Sequence, residues 1–248
     1  MNYKRLYILI FIFSPAFLIA QSDFEITYKK RVLPGYFQIS DSVSEVKKSR
    51  YLKTRNSVKR NIGKFKYTLQ IDTESNISEF KVIKTMSVDG NERFNNNLKG
   101  MLGGRFPIYN HLKKDSVFEN ADFRGKIYFT RYKSPRYKWR LTKKTKDILG
   151  FKCYLAVTEE STDKTVIFNF QKDKKKAFHA WYAPSLPSKY GPSFFTGLPG
   201  LVLQAGNKKM EIYASDIKNV NNVKVEFPDK KSITHKQKIN QLKAMIGR

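Results

Sequence analysis

One thiol and three imidazoles carry most of the nucleophilic or metal-binding potential of this sequence: Cys153, His111, His179 and His235. Cys153 sits in Phe151-Lys152-Cys153-Tyr154-Leu155-Ala156-Val157, where alternation groups it with Phe151, Leu155 and Val157. An apolar face buries a thiol and raises its pKa, so an inert core cysteine is expected. No histidine has a second His, Cys or carboxylate at metal-ligand spacing, and the sequence contains no HExxH, no G-x-S-x-G elbow and no phosphate-binding glycine loop. His179, beside Trp181, reads as a hydrogen-bonded strand histidine. The carboxylate groups Glu159-Glu160 with Asp163, and Asp72 with Glu74, fall in polar turns, where solvation leaves little leverage for acid–base work. These residues predict no catalytic site, metal or cofactor. A hydrolase or thiol enzyme would have to assemble its site from residues far apart in the chain.

Binding is the better prospect. The most unusual stretch is Gly191-Pro192-Ser193-Phe194-Phe195-Thr196-Gly197-Leu198-Pro199-Gly200-Leu201-Val202-Leu203. In Leu198-Pro199-Gly200-Leu201, proline presets φ at the second turn position and glycine tolerates positive φ at the third, which predicts a type II turn. That turn feeds the apolar run Leu201-Val202-Leu203, expected as a buried strand. Gly197 suits a close backbone approach or a positive φ. Trp139, Trp181, Tyr182, Phe194 and Phe195 are rich enough in aromatic surface to edge a cleft, although aromatic residues also fill ordinary cores. The candidate ligand-binding residues are Trp181, Tyr182, Phe194, Phe195, Gly197, Leu198, Pro199 and Gly200.

Period-two alternation dominates the elements that must hold these residues. Strands are predicted over 24–28, 65–71, 77–83, 125–132, 137–142, 151–158, 166–170, 177–182, 201–204 and 210–217. Short polar connections favour sequential antiparallel pairing. The basic stretch 41–59 predicts a helix with Asp41 or Ser42 as its cap, and 89–104 reads as an irregular loop. Residues 232–246 place Ile239, Leu242 and Ile246 on one helical face among lysines, but a chain end of this kind reads first as a frayed, solvated tail.

The 248 residues carry a formal net charge of +27. Such a surface attracts membrane head groups, lipopolysaccharide phosphates, acidic glycans or nucleic acid, or serves solubility alone. At the N-terminus, Lys4-Arg5, an apolar run to Phe13 and the ending Leu18-Ile19-Ala20 have the layout of a cleaved secretory signal. Pro15 interrupts the stretch short of the roughly 20 apolar residues of a membrane anchor. We therefore expect a signal over residues 1–20 and one domain over 21–248. The expected location is the periplasm or outer-membrane periphery, or outside the cell. Export makes nucleic acid an improbable partner, and leaves an anionic or amphiphilic envelope component, an envelope protein, or peripheral membrane contact. Since no cysteine follows the signal, no lipidated N-terminus is expected, and the lone Cys153 leaves stability to core burial.

Four ordered elements carry a family resemblance: Trp139-Arg140-Leu141-Thr142, Gly150-Phe151-Lys152-Cys153, Ala180-Trp181-Tyr182-Ala183-Pro184-Ser185-Leu186-Pro187, and Gly191-Pro192 ahead of Gly197-Leu198-Pro199-Gly200-Leu201-Val202. Together they resemble the GLPGLI family of exported Bacteroidota proteins, best over residues 125–217. Ser185 stands where that family usually has glutamate, Val202 replaces isoleucine, and 172–176 lengthens a hairpin with lysines. The resemblance implies an exported envelope protein and no particular reaction. The predicted fold is mainly β: a single curved antiparallel sheet, half-barrel-like and analogous to lipoprotein carriers, with one or two helices on its concave side.

Overall fold

Two β-meanders lie on either side of the first strand. In the computed structural model, residues 22–37, 43–83, 100, 102–123, 125–158 and 177–246 are described. The signal segment, the proposed caps Asp41 and Ser42, most of the 89–104 loop, the 166–170 strand and the Glu159, Glu160 and Asp163 cluster lie outside them. Strand β1 (Asp23–Val32) pairs antiparallel with both β2 (Lys66–Asp72) and β11 (Met210–Val220). One meander continues from β2 through β3 (Ile77–Ile83), β4 (Ile108–His111), β5 (Ser116–Phe123) and β6 (Lys126–Lys133). The other runs through β7 (Trp139–Ile148), β8 (Phe151–Thr158), β9 (His179–Ala183) and β10 (Leu201–Gly206) into β11. A two-residue strand β12 (Ile233–Thr234) adds to β6 in parallel, completing a 12-stranded sheet in the order β12-β6-β5-β4-β3-β2-β1-β11-β10-β9-β8-β7.

The connection from β6 to β7 explains the curvature. These strands stand ten places apart in the sheet order, a span of about 48 Å if the sheet were flat. Yet only residues 134–138 join them, and a chain that short reaches about 20 Å at most. The sheet must therefore curl until its two ends approach each other across that link, leaving an open seam between β6 and β7, which do not pair with each other.

The main core lies on the face carrying Tyr67, Leu69 and Ile71 of β2, which are opposite Tyr28, Ile26 and Phe24 of β1. Leu201, Val202, Leu203 and Ala205 of β10 are buried with them, as expected for the apolar run after the turn. On the opposite face of β4–β6, Tyr109, Phe118 and Phe129 form a second cluster, covered by Val225 and Phe227 from the segment after β11. Strands β4 and β5 carry no clean alternation because both faces are covered in this way. Strand β7 extends past its predicted end at Thr142 because Lys143 to Lys146 lie on an exposed edge strand with a bulge between Leu141 and Thr145. Lysines and bulges are what keep such an edge from recruiting another strand.

Helix α1 (Glu45–Asn61) buries just Ser57, Val58 and Asn61 in its last turn. The residue preceding it is Ser44, whose side chain makes no capping bond. The expectation of a frayed C-terminal tail is wrong: helix α2 (His235–Ile246) forms there. A capping box starts it, with Gln237 N–H donating to Thr234 Oγ1 (3.2 Å) and Thr234 N–H donating to Gln237 Oε1 (2.8 Å). Leu242 is buried, and Lys238 reaches Tyr132 Oη (3.3 Å) and Glu119 (3.7 Å), which fastens the helix to β5 and β6.

Candidate functional site

The unusual glycine-proline segment lies at the seam. Its backbone is tied to residues 189–190: Gly197 N–H donates to Lys189 O (3.1 Å), Lys189 N–H to Leu198 O (2.8 Å) and Val202 N–H to Tyr190 O (3.1 Å). Side chains from distant strands add to this. Tyr28 Oη of β1 donates to Val202 O (2.6 Å), Asn110 Nδ2 of β4 to Lys189 O (3.1 Å) and Trp139 Nε1 of β7 to Thr196 O (3.0 Å). Gly197 has φ +83°, and a β-carbon there would stand 2.4 Å from Pro135 Cβ of the β6–β7 link.

The type II turn expected at Leu198–Leu201 is not formed. Gly200 does not have a positive φ, and its N–H donates to Leu198 O (2.8 Å), closing a tighter turn. Its glycine is required by space, since a β-carbon would meet Ala183 O at 2.3 Å. Gly197 and Gly200 thus mark places where one backbone lies against another segment.

Beside this clasp, an open groove of about 1160 Å³ runs along the seam. Gly197, Leu198 and Pro199 of the predicted site line it, joined by Tyr137 of the link and by Trp139 and Leu141 from the start of β7. Across the seam the lining is basic, with Arg131 and Lys133 of β6, Lys114 of the β4–β5 connection and Lys236 of α2; Arg136 and Lys138 of the link add two further cations, and Asp115 is the carboxylate among the lining residues. Arg131, Lys133, Lys138 and Lys236 are exposed, and none of them forms an ion pair among the described residues. Arg136 lies over two rings at once, 4.5 Å from the Phe194 centroid and 4.8 Å from that of Tyr132. The first turn of α2 faces the groove through Thr234, His235 and Lys236, so the positive end of its dipole adds to the field.

The other predicted residues lie behind or away from the groove. Tyr182 and Gly200 are buried. Phe195 supports the wall from behind, stacked on Tyr137 with centroids 5.7 Å apart, and Phe194 packs edge-on against Tyr132 (5.2 Å). Trp181 belongs to a different constellation, where the Lys146 amine stands 4.3 Å from its ring centroid.

That second constellation centres on Glu211, whose side chain is 5% exposed. Its Oε2 accepts from Arg31 Nε (2.7 Å), and its Oε1 lies 3.0 Å from His179 Nε2 and accepts from Gln204 Nε2. Gln204 in turn accepts from Lys146 Nζ (2.5 Å). Burial would raise the carboxyl pKa, but the hydrogen bonds from His179, Gln204 and Arg31 and the Arg31 charge outweigh it, holding Glu211 at about 2. Burial pushes the Lys146 amine down. His179 is thus a hydrogen-bonded strand histidine, but sequence spacing could not supply its carboxylate partner. Cys153 is 0% exposed, and burial pushes its thiol up to about 11.

Asp72 corrects the expectation of a solvated turn carboxylate. It is buried, and although burial raises its pKa, donation from Ser75 and Val225 backbone N–H groups brings it below the usual value. Among the described residues, no three His, Cys, Asp or Glu side chains gather as a metal site requires, and no helix is long and apolar enough to cross a membrane.

Fold and site together define a curled antiparallel sheet with a cationic groove at its seam. Residues 139–204 match the model of a family described as a protein of unknown function (Porph_ging); they span β7 through the seam clasp into β10. None of the curated proteins matches the chain. Among solved structures, similarity is found to PNGF-II in the C2 space group (17% identity, TM-score 0.45, 82% of this chain and 28% of that one). It is also found to PNGF-II in the P21 space group (16% identity, TM-score 0.48, 88% and 32%). An uncharacterized conserved protein from Thermus thermophilus is similar at 7% identity and TM-score 0.37, over 87% of this chain and 91% of that one. This chain spans about a third of the PNGF-II chains or less.

Proposed function

We propose that this chain is a non-catalytic binding protein of the GLPGLI type, exported to the cell envelope, whose seam groove holds an anionic or amphiphilic ligand or an acidic part of an envelope partner. The observation that carries this reading is the imbalance of charge around the groove, where Arg131, Lys133, Lys138 and Lys236 are exposed without an ion pair among the described residues and Asp115 is the carboxylate of the described lining. Like charges brought together repel each other unless an anion joins them, and low-dielectric walls focus the resulting field on whatever enters.

Replacing Arg131, Lys133, Lys138 and Lys236 together by glutamine tests the reading by equilibrium titration with pyrophosphate and with undecanoate. Wild type should bind at least one of them, more weakly as salt rises, and the variant should lose at least tenfold in affinity. Equal binding by variant and wild type would refute the groove as the site. For export, the N-terminus of the protein recovered from the envelope fraction should lie near Gln21; an intact Met1 there would contradict a cleaved signal.

The alternative, a hydrolase or thiol-dependent enzyme assembled from distant residues, is favoured by one observation: His179 pairs with a carboxylate 32 positions away. We weigh it lower, because both Glu211 oxygens are already occupied within the network and the thiol is buried. A His179→Ala variant that abolished turnover of an ester substrate while retaining its melting temperature would reverse that ranking.

A further inference from the structure

The groove has two chemically different sides. Trp139 and Leu141 are alternate residues at the start of β7 and therefore share one face of the strand, and Tyr137 of the link packs edge-on against Trp139 with centroids 5.7 Å apart; Leu141 is 50% exposed, and Pro199 of the clasp is exposed in the same groove. Facing this apolar strip are the cations of β6 and α2. A purely ionic ligand such as a small phosphate would leave the strip wet. A neutral lipid would leave the cations without a counter-charge.

We propose that the occupant is a monomeric single-chain anionic amphiphile, its head group among Arg131, Lys133 and Lys236 and its tail along Tyr137, Trp139 and Leu141. This rests on the binding reading above and narrows it to one ligand class and one orientation. Charge complementarity fixes the head, and the alternate apolar positions of β7 fix the direction of the tail. Arg136, already stacked over Tyr132 and Phe194, lies between the two sides and holds the ends of the site in register. Removing tail methylenes should weaken binding by about fourfold each while they lie on the strip.

The two tryptophans allow a direct test, because Trp139 lines the groove and Trp181 does not. In a Trp181→Phe variant (Trp181→Tyr serves if that one folds poorly), 11-bromoundecanoate below its micelle concentration should quench Trp139 fluorescence saturably. The uncharged 11-bromoundecanol should bind at least tenfold more weakly. Lys133→Gln with Lys236→Gln should weaken the acid at least tenfold, and Leu141→Ser should flatten the dependence on chain length. Equal quenching by acid and alcohol would overturn the head-group assignment. Pyrophosphate binding in the groove without any quenching by the bromo acid would overturn the amphiphile while leaving the anion-binding reading intact. Binding to anionic vesicles with none to the monomer would also overturn it, and no groove-dependent binding of any anion would remove both.

Discussion

Two polar regions of this molecule handle positive charge in opposite ways. Around Glu211, cations and donors from β1, β7, β9 and β10 converge on one buried carboxylate and its Gln204 partner, and the carboxylate is bonded through both oxygens. Around the groove, lysines and arginines from β6, the link and α2 line an open depression with one carboxylate among them. The first pattern neutralises itself and holds strands together. The second has no such counterpart for Arg131, Lys133, Lys138 and Lys236 among the described residues, which is why we propose it as the binding site. The comparison teaches that charge alone does not single out a candidate site in a chain this basic; charge left without an ion-pair partner does.

Removing the centre of the first region should produce the largest effect. Glu211→Ala leaves Gln204 and His179 without their buried acceptor and the half-exposed Arg31 without its anion, and should cost about 3 kcal/mol in urea unfolding. A loss below about 1 kcal/mol would place the pair among inconsequential surface contacts and erase the contrast. Acid should reveal the same centre. Because Glu211 is held at about 2 against an ordinary 4.5, its contribution is fully present above pH 4.5 and drains away as the pH falls toward 2. The amount is on the order of 3 kcal/mol, and a Glu211→Gln protein should lack that part of the acid slope.

The seam clasp comes next. Gly197→Ala forces a β-carbon into Pro135 at a residue with φ +83°, and should cost about 1–3 kcal/mol in thermal unfolding. Gly200→Ala, aimed at Ala183 O, should cost a similar amount; unchanged melting in both would mean that these two glycines are not contact residues. The smallest effect on stability belongs to the groove, where Lys133→Gln with Lys236→Gln should shift unfolding by no more than about 0.5 kcal/mol. A large loss there would show that these charges serve the fold.

The sequence made the fold legible wherever one face of a strand is buried and the other wet. Ile77–Ile83 and Phe151–Thr158 were expected with the bounds observed. Legibility failed where tertiary packing covers both faces, as in β4 and β5 beneath Phe227, or where an edge strand carries lysines, as at Lys143 to Lys146. Residues 235–246 looked like a tail because their capping and burial come from Thr234, β5 and β6 and not from a strong apolar face. The Pro-Gly pair announced a corner correctly, but local φ preference could not reveal that Gly200 is there to make room for Ala183. The groove was half visible: Gly197, Leu198 and Pro199 stood out by type, whereas Lys114, Arg131, Lys138 and Lys236 are ordinary cations until curling of the sheet brings them to one seam.

Thermal unfolding with and without undecanoate, run on wild type, Glu211→Gln and the Lys133→Gln/Lys236→Gln double variant, tests the contrast most directly. At a hundredfold excess over its dissociation constant, the ligand should raise the melting temperature of wild type and of Glu211→Gln by the same increment, about 5–10 °C. The double variant, at least tenfold weaker, should show no more than about half that rise at the same concentration. An equal rise in all three proteins, or a rise lost in Glu211→Gln, would contradict the assignment of the seam groove as the place where this protein takes its ligand.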